Sequence, residues 1–381
     1  MKKIRNMFWL MICSLVLSSL SPIYAEEHIF YGNKTEGEWE STWEDLKAQL
    51  PEDVQVALQD FLISDTGSIT DSKLTNTEYW WSTVQKHIAS YFLPAASNLS
   101  VILAIIMLTA LFEQIPVSGV LQKGMSFCCE LGLAVVVYQT ANTALENSER
   151  YMQSICSVMT AMVPVMSAVS YASGEITAAS VQNTAITLFL TVITNLNNIV
   201  IRPLLNILLA LSITGAVCPD VSLGSFTGSV KKCMMTIFSF ILLLYSFVYG
   251  IQTSLARAAD SLGLRTVRFA LSNFIPIVGG PVSDAFSALR SGMGYVRSMA
   301  GIGGIIVLVL MVLPIGISLW VTNTVFSLGN TASEIMGCSK CARLLADMHS
   351  ILQILSALVW MVTIFFLFSI ILFTRISGQA T

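Results

Sequence analysis

The residues best suited to chemistry in this 381-residue chain are few and scattered. Cys338 and Cys341 form a C-x-x-C pair, a spacing that can supply a redox dithiol or two soft metal ligands. A zinc site needs four ligands, no second C-x-x-C occurs, and His349 is the only histidine nearby, so no metal site is assigned. Cys128, Cys129, Cys156, Cys218 and Cys233 lie in or beside apolar segments and read as small hydrophobes. His28 and His87 are as isolated as His349. Neither a G-x-x-x-x-G-K-[ST] phosphate loop nor an H-E-x-x-H motif is present. The reading is therefore a non-enzyme with no catalytic residue, cofactor or metal. If transport here uses ATP, another subunit hydrolyses it. A membrane-embedded hydrolase ranks last, for want of a nucleophile and base.

Charged groups inside apolar stretches are the next candidates. Glu130 and Arg202 sit within long apolar segments, where ionisable groups are costly and usually face a bundle interior or a water-filled path. They are expected to approach each other or to line a cavity; the alternative is that each snorkels to an interface. Along Leu255 to Leu271 a helical projection puts Arg257, Arg265 and Arg268 on one side, with Leu255, Ala259, Leu262 and Phe269 opposite. That predicts an interfacial amphipathic helix whose basic face rests on anionic headgroups or receives a cytoplasmic partner. Asp260, three residues from Arg257, is assigned a structural pairing. Glu113, Glu175 and Asp284 stand beside segment ends, where exposure is the default.

What must position these groups is a membrane body. Hydrophobic residues make up 54% of the chain and charged residues 11%, against about 25% charged in a soluble domain. The formal net charge of −3 conceals segregation: residues 26–91 carry 13 acids and 4 lysines, net −9, whereas 92–381 are net +3. No basic stripe exists on the long soluble segment, which disfavours nucleic acid as a partner.

Residues 1–25 carry Lys2, Lys3 and Arg5, an apolar run from Met7 to Leu20, then Ser21-Pro22-Ile23-Tyr24-Ala25. That order predicts a signal peptide cleaved after Ala25, the alternative being a retained first helix. Ile12 is too large for lipoprotein processing at Cys13. Residues 26–91 then form an acidic extracytoplasmic segment with one predicted amphipathic helix, Trp43 to Phe61. It is too small to bury much core and reads as a docking segment or a cap.

The fold class expected is an all-α polytopic membrane protein of six to eight segments. Clear spans are Phe92 to Phe112, Gly124 to Ala144, Met234 to Ile251, Gly301 to Val321 and Ile351 to Phe373. Ala185 to Val217, with Arg202-Pro203 at its middle, is one broken helix or two short ones. Ile155 to Ala172 and Phe269 to Leu289 are weaker. Prolines 164, 203, 276 and 314 recur in order, and Lys232-Cys233 and Lys340-Cys341 each precede a span. These suggest two copies of one unit after a first helix pair at 92–144: residues 145–251 and 252–373, with 374–381 as a tail. Coincidence among apolar sequences is the alternative. In membrane proteins such repeats often meet at a site built from broken segments. Loop charge gives a split vote on topology, since Lys231 and Lys232 flank one end of a span and Arg257, Arg265 and Arg268 the other.

The run Arg268-Phe269-Ala270-Leu271-Ser272-Asn273-Phe274-Ile275-Pro276-Ile277-Val278-Gly279-Gly280, followed by Val282-Ser283-Asp284-Ala285, resembles the stage III sporulation protein AE family of endospore-forming bacteria, and the whole plan of the chain agrees with it. The resemblance implies a multi-pass protein made in the mother cell, in the outer forespore membrane, with its acidic segment between the two membranes. It further implies a permease-like subunit of the mother-cell-to-forespore secretion or feeding channel. Its partners would be other stage III proteins, an ATPase and ring-forming subunits among them, with stage II sporulation protein Q reached indirectly and lipids around it. The resemblance establishes no catalytic residue. Pro276, Gly279 and Gly280, with Pro164, Pro203 and Pro314, are proposed as a gate or packing kink, since proline breaks helices and glycine permits close approach. A non-conducting scaffold and a stand-alone secondary transporter are the competing functions.

Overall fold

The computed structural model describes residues 77–114, 119–217, 224–274 and 279–374. Among these, seven α-helices and one π-helical turn account for the ordered elements: α1 (Thr77–Gln114), α2 (Gly119–Ala172), α3 (Ile176–Asn195), the π turn (Leu196–Ile201), α4 (Arg202–Val217), α5 (Gly224–Phe274), α6 (Gly279–Ile335) and α7 (Ser339–Thr374). Six rods result that are long and apolar enough to cross a membrane, because α3, the π turn and α4 run on as one. The signal peptide, the predicted helix at Trp43 to Phe61 and the tail lie outside the described residues.

Among the described residues the six to eight expected segments resolve into six rods, for physical reasons. Ile155 to Ala172 is the second half of α2, whose 54 residues contain Pro164 without a break in assignment. Phe269 to Leu289 divides between the end of α5 and the start of α6. Ala185 to Val217 is one broken rod. Pro203 has no N–H and its ring crowds the carbonyl four residues earlier. The chain widens into a π turn just ahead of it, where the Arg202 amide reaches back five residues to the Asn197 carbonyl.

The four prolines do not occupy equivalent places. Pro164 and Pro314 lie inside continuous helices, Pro203 follows the π turn, and Pro276 falls between α5 and α6, outside the described residues. Lys232-Cys233 lies within α5, whereas Lys340-Cys341 opens α7. The register of two copies, 145–251 against 252–373, matches Pro164 to Pro276, which lies outside the described residues. What does recur is a hairpin. α2 ends with Gly174 at φ +78° and α6 with Gly337 at φ +81°. At each, the glycine amide bonds three residues back and the next amide five back: Gly174 to Tyr171 and Glu175 to Ser170, then Gly337 to Glu334 and Cys338 to Ser333. Both are the glycine-terminated helix end that satisfies orphan carbonyls.

α7 is the axle of the bundle. Of its apolar window 61% is buried, against 11% for α5. Phe365 stacks on Phe189 of α3, with ring centroids 3.4 Å apart, and meets Tyr245 of α5 edge-on at 5.2 Å. Tyr249 of α5 shares a hydrogen bond with Ser369 at 3.2 Å, and Tyr151 of α2 with Thr363 at 2.6 Å. Buried tyrosines carry their hydroxyls to partners because an unmade hydrogen bond in an apolar interior is expensive.

Candidate functional site

At one end of the bundle the α2–α3 hairpin delivers a carboxylate into the interior. Glu175 follows the positive-φ glycine, and its side chain is only 6% exposed. The Arg297 guanidinium of α6, 3% exposed, donates to Glu175 Oε2 at 2.8 Å and to Ser170 Oγ at 3.2 Å. It also lies 5.5 Å from the ring centre of Phe373 on α7. Arg257 of α5 places its Nε 4.0 Å from the same Glu175 oxygen and donates to the Leu372 carbonyl. Asp260, one turn along α5, accepts the Thr177 and Ala178 amides at 3.0 and 2.8 Å. A carboxylate on these orphan N–H groups is a cap for α3 supplied by another helix, and it suits the positive end of the helix dipole. Five helices are thereby tied through one cluster in which two arginines reach Glu175 while Asp260 caps α3.

The opposite end holds a second pairing. Glu130 of α2, 3% exposed in its side chain, receives Lys340 of α7 at 2.9 Å. Cys338, at the Gly337 turn, and Cys341, in the first turn of α7, are both buried and in no disulfide. The Cys338 thiol approaches the Ile106 carbonyl at 3.9 Å. The His349 ring meets the Asn323 carbonyl at 3.3 Å and the Gln353 amide at 2.8 Å.

A third group faces outward. Arg202, at the start of α4, pairs with Glu149 of α2 at 2.9 Å while remaining 57% exposed. Beside it Arg150 stands 4.0 Å from Glu146. A groove of about 490 Å³ lies between α2 and α3, lined by Thr160, Pro164, Thr187 and Thr191 among others.

The structure thus separates residues that the sequence pointed to together. Glu130 and Arg202 do not meet; each takes a partner from elsewhere, Lys340 and Glu149. The stretch Leu255 to Leu271 is not a separate interfacial helix but the continuation of α5. Its apolar Leu255, Leu262 and Phe269 are exposed while Arg257 turns inward, so the basic face is divided; Arg265 remains exposed, and the Arg268 side chain lies outside the described residues. Glu175, expected in solvent, is buried. Gly279 opens α6 with Gly280 next to it; Pro276 and the side chains of Glu113 and Asp284 lie outside the described residues. Arg297 and Ser170 went unmarked in the sequence. The one available signal was Arg297 standing four residues before the apolar stretch that starts at Gly301.

A curated relative, stage III sporulation protein AE of Bacillus subtilis strain 168, is 22% identical over 177 residues. That match spans 46% of this chain and 44% of the relative, less than half of its length. No solved structure matches. The model of the family described as stage III sporulation protein AE matches residues 64–377, taking in all six apolar rods and both buried charge clusters, and the chain belongs to that family.

Proposed function

We propose that this sporulation membrane protein is the permease-like subunit of the channel through which the mother cell feeds or secretes into the forespore. In this reading it sits in the outer forespore membrane with its acidic N-terminal segment between the two membranes. It works with an ATPase and ring-forming stage III partners, and with stage II sporulation protein Q at one remove. Family membership supports the setting. The observation that carries the role is the placing of charged pairs along membrane-length helices, above all Arg202 with Glu149, both at least partly exposed. A body that only anchored partners would have no use for such groups, whereas a passage for polar solutes would.

The scaffold reading draws on the Glu175–Arg297 cluster, whose ties across five helices suit a rigid mount. Deleting the gene in its sporulating host and following a late forespore reporter tests the setting: expression should stop after engulfment, and normal expression rejects it. Reconstituting the chain with its ATPase and ring partners in vesicles separates the two roles. A channel subunit gives solute flux that needs the chain, and an assembled complex without flux leaves the scaffold.

A further inference from the structure

We infer that the outward face of α2 and α3 lines a water-filled path closed by further copies of this chain. The inference rests on the channel reading above and adds which surface does the conducting. Its first support is depth. Ile351–Phe373 of α7 is an uncharged run of 23 residues, about the length that crosses a hydrocarbon core. Thr363 lies at its middle and bonds Tyr151 of α2 at 2.6 Å, so the residues next to Tyr151 stand near the level of the bilayer centre. There α2 and α4 present Arg150, 76% exposed, with Glu146, 54% exposed, and Arg202 with Glu149. A charge facing lipid at that depth is costly, and such groups face water or each other. Here they pair within the protomer, and Arg150, Glu146 and Arg202 keep more than half of their side chains open to the outside.

The second support is a stripe. Thr177, Ser180, Thr184, Thr187, Thr191 and Asn195 recur every three or four residues along α3, all exposed and none charged. They form one line about 27 Å long at 1.5 Å per residue. Thr184 and Thr191 already donate to carbonyls one turn back, which leaves their oxygens free to accept from water. Across the groove, Pro164 lacks the N–H that would bond the Thr160 carbonyl, so the path wall offers a further acceptor. The exposed side of α3 also carries Ile176, Leu188 and Val192 beside this line, whereas on α5 the corresponding line, Phe240, Leu243, Phe247 and Leu255, is wholly apolar, as a lipid-facing surface is.

The third support names the occupant. A stripe open on one side cannot enclose water. Beside the groove, Arg150 and Glu146 stand 4.0 Å apart and stay 76% and 54% exposed, so this open patch of both signs can exchange partners with the same patch on a second copy, and copies set around an axis close the path.

The test uses the full-length chain in membranes of sporulating cells, its eight native cysteines replaced. Thr184→Cys, Thr187→Cys and Thr191→Cys are compared with Leu243→Cys and Phe247→Cys, using a membrane-impermeant cationic methanethiosulfonate. The reagent needs a thiolate, which forms in water and not in lipid, so the three stripe positions should react at least about tenfold faster. A bis-maleimide should link Thr187→Cys chains to one another and leave Leu243→Cys chains single. Stripe positions as slow as Leu243→Cys overturn the path; fast labelling with links only to other proteins overturns its closure by copies. The late forespore reporter keeps the two readings apart. Unreactive stripe positions in a strain whose sporulation needs the protein refute the path alone, and reactive ones in a strain that sporulates without it refute the channel role alone.

Discussion

Arg297 reaches Glu175, Ser170 and Phe373 in the first cluster, and its removal leaves the Glu175 carboxyl group without its 2.8 Å partner in an interior site. Breaking one partner of a buried pair costs about 3–5 kcal/mol, whereas replacing both by groups of similar shape is far milder. Arg297→Met should therefore lower unfolding resistance in detergent sharply, and Glu175→Gln with Arg297→Met should recover most of it. Equal stability of the single variant and the parent would refute the clamp. Lys340 is 36% exposed, so Lys340→Met should cost less than Arg297→Met on the same assay. At this scale the sequence showed which groups were anomalous but not whom they meet. Glu130 stood out as a charge in an apolar run, yet its partner lies 210 residues away, at a separation that only packing decides.

Among the elements, the two glycine turns separate backbone strain from packing. Both residues have positive φ, which a Cβ disfavours by about 1–2 kcal/mol. A Cβ at Gly337 would meet nothing within 4 Å, while one at Gly174 would stand 2.8 Å from a Leu264 methyl carbon. Gly174→Ala should thus destabilise more than Gly337→Ala, read from the same denaturation midpoints, and the reverse order would show that Leu264 yields freely. Asp260→Ala should speed amide exchange at Thr177 and Ala178 and leave the far end of α3 unchanged, as loss of a cap costs about 1 kcal/mol at one terminus. Helix existence was legible because apolar length alone demands it. The setting of each proline was not legible, because packing decides it: proline is absorbed within α2 and α6 and follows a widened ladder at the start of α4, while Pro276 lies outside the described residues.

For the whole molecule, the six rods of the described residues, each long and apolar enough to cross, put residues 89 and 374 on one side of the membrane when all of them span it. Single cysteines at Ser90, Tyr171 and Thr374 should label from the same side, and one at Met336 from the other; any other pattern rejects the six-rod topology. Loop charge could not decide this, because Arg257 is spent inside the protein and does not report orientation. The lengths of the rods carry a mechanical consequence. α2 and α6 run 54 and 57 residues, roughly 80 Å each at helical rise, against a hydrocarbon core of about 30 Å. With the middle of α2 at the bilayer centre, each end stands about 25 Å clear of the hydrocarbon. A helix that long is a lever: a ten-degree tilt about the membrane centre moves its outer tip by several ångströms, roughly 7 Å at 40 Å from the pivot. Movement imposed by a partner on either aqueous side would reach the buried clusters as rotation of whole rods, without any loop having to change shape.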